Sequence, residues 1–282
     1  MASEEELRFI SQLADELNSR RLALPSFPDV ALRVRQALEA EHCTAETLAR
    51  VVHSEPALAA RLLEVANSAL LNRGGTPVTD LRTAIARLGF DMVRNAATAV
   101  AVEQLLLGRE HQDIRAELER LWRHSVTVSA LAYVLAGQCR GVNRDEALLA
   151  GLMHDIGRLY VHARARDFPA LAAQPDDLEA LAYDWHTGIG RAILEAWGFS
   201  EAVCAAAEGH HDDRAGLFGP PTVTDLVWVA NWLAESREGR APAVEDPEAG
   251  CRRLGLDPAG CQALVSASQA EIQSLTRALR GH

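Results

Sequence analysis

The stretch 148–159, LLAGLMHDIGRL, decides the fold class. Its apolar side chains recur every three or four residues, at Leu148, Leu152, Ile156 and Leu159. This spacing is the period of one face of an α-helix. The same period runs through 58–69 and 223–233, whereas no stretch alternates apolar and polar residues with β-branched enrichment. We therefore predict an all-α fold, a multi-helix bundle with short connections.

The composition is that of a globular protein. The 282 residues are 48% hydrophobic and 24% charged, and they contain no apolar run of the roughly 20 residues that span a bilayer. The N-terminus, MASEEELRFISQLADEL, is acidic and amphipathic, which is unlike a signal peptide. We expect a cytoplasmic protein with no membrane association. The five cysteines are scattered and contain no C-x-x-C pair, which favours reduced thiols over disulfides or a thiolate metal site.

Charge argues against one class of partner. The net charge of −11 opposes non-specific binding to nucleic acid, and no basic face studded with aromatic residues is evident. All 28 basic residues are arginine, so any phosphate contact must be made by arginine or by backbone N–H groups. We expect no nucleic-acid partner.

Loops divide the chain into four parts. Loop-forming residues cluster near 72–77, 212–222 and 238–248. They predict an N-terminal helix at 1–21, a helical lobe at 22–110, a second helical lobe at 111–240 and a helical tail at 241–282. On the first helix we expect one apolar face, which packs on the lobe or on a partner. Its residues are Leu7, Ile10, Leu13 and Leu17.

Histidines and one aspartate are the candidate chemistry-bearing residues. They lie in apolar helical segments of the second lobe, at His124, His154, Asp155, His186, His210 and His211. Imidazole and carboxylate are suitable ligands for iron, manganese or zinc, and bundles hold such ions through side chains from separate helices. The alternative for each histidine is a hydrogen-bonded core residue or a solvated one, and we assign the other five histidines of the chain to it.

The ordered motifs resemble a known superfamily. His124, then His154-Asp155-Ile156-Gly157, then His186 with Gly190, then the 210–211 histidine pair, are similar to the HD superfamily and its HD-GYP branch. The first lobe resembles the HDOD domain through three stretches: LPSFPDVALRVRQAL at 24–38, LARVVHSEPALAARLLEVANSA at 48–69 and LRTAIARLGFDMVRNAATAVAVEQ at 81–104. The resemblance covers roughly residues 22–237 and implies an HDOD lobe packed on an HD-like lobe.

The resemblance also implies a set of metal ligands. The positions of His124, His154 and Asp155, with a later aspartate, correspond to those that bind a first divalent ion. His186, His210 and His211 correspond to those that help bind a second. The later aspartate is replaced by Asn231, a neutral ligand that weakens a site. Asp225 is a poorly placed substitute.

Two further departures concern phosphate chemistry. The loop DDRAGLFGPP at 212–221 lacks the Gly-Tyr-Pro associated with cyclic-di-GMP phosphodiesterases. Arg158 stands where those enzymes usually carry lysine, and its guanidinium could hold a phosphate bidentately or form an ordinary salt bridge. Asp184 and Glu208 were candidates to orient the imidazoles.

Two functions follow from the resemblance. One is a bacterial signal-transduction module that acts through signalling-protein partners, with a structural or vestigial metal site or with no ion. The other is a metal-dependent phosphohydrolase or phosphodiesterase, which would take a nucleotide or cyclic dinucleotide and one or two ions.

Overall fold

The computed structural model describes residues 4–19, 27–72, 75–106, 108, 111–240 and 247–280. Every regular element among them is a helix, which confirms the predicted all-α class. The N-terminal helices are α1 (Glu4–Asn18), α2 (Asp29–Glu39), α3 (Ala45–His53), α4 (Pro56–Ala66) and α5 (Leu81–Leu106). The central helices are α6 (Arg115–Ala136), α7 (Arg144–Met153), α8 (Ile156–Ala165), α9 (Pro169–Ala172), α10 (Pro175–Ala196), α11 (Glu201–Gly209) and α12 (Val223–Arg237). The last three are α13 (Pro247–Arg253), α14 (Pro258–Ala267) and α15 (Gln269–Arg280).

Helices α2 to α5 pack around their own small core. It is built of aliphatic side chains that include Leu48, Leu58, Leu62, Ile85 and Val93. Helix α4 begins at Pro56, a first-turn position where proline's missing N–H leaves no bond unmade. Helix α5 bends at Gly89, whose φ of 80° suits glycine. The first residues of the 24–38 motif lie outside the described residues.

The central helices form a second, larger core around α6. Among the described residues this core extends from Phe9 to Leu279, so it also takes in α1 and α15. Helix α5 contributes Met92 and Val102 to it while its Val93 faces the small core. The two groups of helices are therefore joined through α5. The predicted boundaries at 21, 110 and 240 stay a prediction.

Helix α1 packs inside the molecule, on the larger core. Of the predicted apolar face, Leu13 is buried, and Ile10 and Leu17 are partly buried against that core. Phe9 is also buried, and its ring packs edge-on against Phe168 with centroids 5.1 Å apart. The prediction was wrong for Leu7, which is 57% exposed.

Two global features complete the description. All five cysteine thiols are free. Among the described residues, no helix combines the length and the apolar character needed to cross a bilayer.

Candidate metal centre

The predicted ligand positions converge in the centre of the larger core. His124 lies on α6, His186 on α10 and Asn231 on α12. The pair 154–155 joins α7 to α8, and the pair 210–211 follows the end of α11. All are buried except His211, which is partly exposed. Residues up to 107 positions apart in the chain thus meet at one point, as the prediction required.

The helical path is interrupted at His154-Asp155, just before Gly157. Helix α7 ends at Met153 and α8 begins at Ile156, so the pair occupies a two-residue turn. Gly157 lies in the first turn of α8. A Cβ on Gly157 would stand 2.0 Å from the backbone oxygen of His186 and 2.8 Å from the amide nitrogen of Gly190. Glycine is required here because α8 and α10 touch backbone to backbone, and this contact positions His186.

The donors form two groups that share a carboxylate. Within each group the ligand atoms all lie within 4.8 Å of one another; the groups are His124, His154, Asp155 and His186, His210, His211. One oxygen of Asp155 is 3.6 Å from the Nε2 atoms of both His186 and His210, and the other is 3.6 Å from His154 Nε2. The arrangement matches two neighbouring ion positions with one carboxylate between them.

Backbone contacts set the tautomer of three imidazoles. His154 Nδ1 donates to the carbonyl oxygen of Gly151 at 2.8 Å, and His210 Nδ1 donates to that of Ala207 at 2.9 Å. His186 Nδ1 donates to Tyr183 O at 2.6 Å. A carbonyl can only accept, so each Nδ1 carries the proton and each neutral ring presents its Nε2 lone pair inwards.

These lone pairs point at one another. His186 Nε2 and His210 Nε2 are 3.2 Å apart, which places two acceptors face to face. Burial lowers the pKa of His186 to about 4, so His186 Nε2 carries no proton at neutral pH. Burial also lowers the pKa of His154 well below its usual value and that of His211 to about 2, the latter helped by the neighbouring histidines.

The donor set therefore fits a divalent cation. The His154 Nε2 and one Asp155 oxygen are buried and make no hydrogen bond within the described structure. Buried acceptors of this kind are stabilised by a metal ion, and neutral imidazole with carboxylate suits iron, manganese or zinc. Burial opposes ionisation of Asp155, but His154 and Arg158 outweigh it and hold its pKa well below the usual value.

His124 differs from the other imidazoles because its partners are side chains. Its Nε2 is 2.8 Å from the Oδ1 of Asn231. Its Nδ1 is 3.2 Å from Glu238 and 2.6 Å from an Arg240 nitrogen. An amide oxygen can only accept and a guanidinium can only donate, so in this structure Nε2 donates to Asn231 and Nδ1 accepts from Arg240. His124 would have to give up its Nε2 proton to bind an ion. Asn231 lies beside the predicted first ion position, with an amide where the resemblance implies a carboxylate.

Asp184 and Glu208 do not orient the imidazoles. Asp184 is exposed, and Glu208 pairs with Arg191 at 2.9 Å on the surface. Backbone carbonyls orient His154, His186 and His210 instead. The proposed substitute ligand Asp225 caps α12 through Thr222 and pairs with Arg253 at 3.0 Å.

A charged cluster beside the centre was not foreseen. Arg158 is buried, with one nitrogen 3.6 Å from Asp155 and another paired with Glu179. His162, one of the five histidines that were not expected to be ligands, is buried and lies 3.2 Å from the same Glu179. The one available signal was the spacing of Arg158 and His162, one helical turn apart. The phosphate role of Arg158 stays a prediction.

Comparison with known proteins identifies the family. The family model of the HDOD domain matches residues 24–213, which is most of the chain. The chain belongs to the HDOD domain family. A protein of Shewanella amazonensis SB2B, provisionally described as a metal-dependent phosphohydrolase, has 27% identity and a TM-score of 0.81 over 97% of this HDOD chain and 100% of its own. An HDOD domain protein of Geobacter sulfurreducens, at 22% identity and a TM-score of 0.66 over 97% of both chains, shares the fold.

Curated relatives match a smaller part. Ribonuclease Y of Mesoplasma florum is 29% identical over 124 residues, which is 44% of this HDOD chain and 20% of the ribonuclease. Ribonuclease Y of Rhodopirellula baltica is 32% identical over 121 residues, 43% and 19% of the two chains. The HDOD chain thus spans about a fifth of the length of these relatives.

Proposed function

We propose that this HDOD chain is a bacterial signalling module that acts through protein partners, and that its histidine centre holds one or two divalent transition-metal ions. The ions would tie together α6, α10, α12 and the turns at 154–155 and 210–211. One observation carries the metal half of the proposal. The Nε2 atoms of His186 and His210 face each other at 3.2 Å while both Nδ1 atoms donate to backbone carbonyls.

A structural metal is favoured because the centre is closed. His154, His186 and His210 are each 0% exposed and Asp155 is 1% exposed. Arg158 is itself buried, lies 3.6 Å from Asp155 and pairs with Glu179. An ion bound there supplies Lewis acidity and positive charge. Asn231 brings less charge to it than a carboxylate would, which also favours a structural site.

Two measurements on one preparation test the signalling role. Manganese-loaded protein and a His154→Ala variant serve as baits for cross-linked capture from a bacterial lysate, and the same samples are assayed for phosphoester hydrolysis. We expect the wild-type bait to capture more of the known signalling proteins than the variant bait does. We expect both samples to hydrolyse phosphoesters at a negligible rate. Robust turnover with no such partner would overturn it.

The phosphohydrolase alternative has its own support. The Shewanella relative matches the whole chain and is described in those terms, and six of the seven ligand positions carry imidazole or carboxylate. On this alternative the iron- or manganese-loaded protein hydrolyses a nucleotide, a cyclic dinucleotide or a generic phosphoester, and EDTA abolishes the activity. Loaded protein that is inert to all three classes would exclude it.

A further inference from the structure

A single carboxylate gathers the cationic and N–H groups beside the metal centre. Glu179, near the start of α10, pairs with an Arg158 nitrogen on α8. Its other oxygen is 3.2 Å from His162 Nε2. An Arg120 nitrogen from α6 lies 4.0 Å from the Glu179 oxygen that pairs with Arg158. The carboxylate is therefore surrounded by donors from two other helices.

Donors and acceptor differ in how firmly they are held. The side chains of Arg158 and His162 are 7% and 8% exposed, so surrounding packing fixes them. The Glu179 side chain is 41% exposed and can turn towards solvent. Arg158 also has a spare donor, because its Nε is buried and makes no hydrogen bond in the described structure. Arg158 and His162 are thus held by packing, whereas the Glu179 side chain and that of Arg120, which is 37% exposed, are freer to move.

The chemistry of the donors suits a phosphate group better than a carboxylate. A guanidinium presents parallel N–H donors that match phosphate oxygens, and a phosphate offers one more acceptor oxygen than a carboxylate does. The Arg158 guanidinium reaches from Glu179 to within 3.6 Å of Asp155, so an anion in this place would adjoin the histidine centre. It would also gain from any positive charge held there.

A third metal position is the competing interpretation of this cluster. Glu117, His162 and Glu179 present ligand atoms within 4.8 Å of one another. Both carboxylates already carry guanidinium partners, because Arg120 contacts Glu117 at 2.5 Å and Arg158 pairs with Glu179. The guanidinium charges of Arg120 and Arg158 repel an added cation, and they attract an anion.

We propose that Arg158, His162 and Arg120 form a binding site for a phosphate group, and that Glu179 occupies this site as an internal competitor. The phosphate enters when the Glu179 side chain turns out, so the resting protein binds phosphate weakly. The inference rests on the proposed function only in placing this site against a metal-holding centre. The shared ligand chemistry is a phosphate dianion, free or on a monoester.

The test is calorimetric titration with inorganic phosphate and with a 5′-nucleoside monophosphate. Wild type is compared with Glu179→Gln, in EDTA-treated and manganese-loaded forms. Removing the competing charge should tighten binding of at least one probe about tenfold. Glu119→Gln is the matched control, because it removes an equal charge from α6 at a residue that pairs with Arg115 and with none of the three donors; its effect should stay below about threefold. A gain for either probe supports the site.

Specificity is checked by adding Arg158→Gln to Glu179→Gln, which should remove the gain. Equal gains in Glu179→Gln and Glu119→Gln, or no gain in Glu179→Gln and in Glu179→Ala, would overturn the inference. Loss of a bound metal equivalent on Glu179→Gln would establish the cation site instead. Metal content of the same samples separates the two proposals: a phosphate gain in protein that binds no metal refutes the metal centre alone, and a metal-replete protein without the gain refutes the phosphate site alone.

Discussion

Substitution of Gly157 by alanine should disturb the histidine centre from the opposite side of a helix. The added Cβ would meet the backbone oxygen of His186 at 2.0 Å and the amide nitrogen of Gly190 at 2.8 Å, both well inside ordinary contact. Neither neighbour can rotate away, because both are backbone atoms. Relief requires α8 and α10 to separate by about 1 Å, which moves His186 away from His210 and Asp155.

The expected magnitude has two opposing parts. Overpacking of this kind destabilises by about 1–3 kcal/mol, while alanine in a helix gains up to about 1 kcal/mol over glycine. We expect a net loss of about 1–2 kcal/mol in the free energy of unfolding, or a few degrees in Tm. Metal affinity should fall by roughly 10- to 100-fold, as it does when the groups that orient a ligand are changed.

The assay is thermal unfolding with and without manganese, together with a chelator competition for metal affinity. Gly188→Ala is the matched control, since Gly188 lies in α10, the helix that carries His186, and a Cβ there meets no atom within 4 Å. That variant should be as stable as wild type or slightly more so. If Gly157→Ala and Gly188→Ala unfold and bind metal alike, the backbone contact does not position His186.

Three other predictions concern ligand charge, pH and the N-terminal helices. Asn231→Asp should tighten manganese binding about tenfold or more by chelator competition, because it adds a negative charge beside the centre; unchanged or weaker binding would contradict this. The pKa values of His186 and His162 are lowered to about 4, so the unfolded chain takes up protons first as pH falls below the ordinary value of 6.5. Stability of EDTA-treated protein is therefore complete above that value and should decline towards pH 4, by at most about 1.4 kcal/mol per pH unit for each group; urea midpoints that do not fall over this range would refute it. Asn67→Ala should cost about 1–2 kcal/mol, because its amide makes bonds of 2.7–2.8 Å to the backbone at positions 63 and 78, whereas Asn72→Ala, whose amide contacts are 3.4 Å, should cost less in the same denaturation series; equal losses would argue against it.

Local sequence signals predicted the all-α fold, and the order of motifs predicted the positions of the candidate ligands. Helical periodicity identified the buried faces of α4, α7 and α12 without reference to any neighbour. Convergence of the histidines did not follow from periodicity, because each one lies on a separate element. It followed from the order of motifs, in which His124, His154 and His186 resemble a family whose helices bring them together.

The surroundings of the ligands could not be read from local sequence. The imidazoles are oriented by backbone carbonyls, and any residue provides such a carbonyl. Asp184 and Glu208 each lie two residues before a candidate ligand in the sequence. In the structure both are exposed on a helix surface that faces away from the centre. Glu179 reaches Arg158 across 21 residues and two helices, a pairing that only the packing of α8 against α10 creates.

Elemental analysis of freshly purified protein tests the central claim most directly. Wild-type protein grown with supplementary iron and manganese should retain about one or two equivalents of transition metal. His210→Ala should lose most of it, whereas His53→Ala, which alters an exposed histidine on α3, should keep the wild-type content. Wild-type protein that carries no metal and takes up none on titration with manganese, iron or zinc would contradict the account.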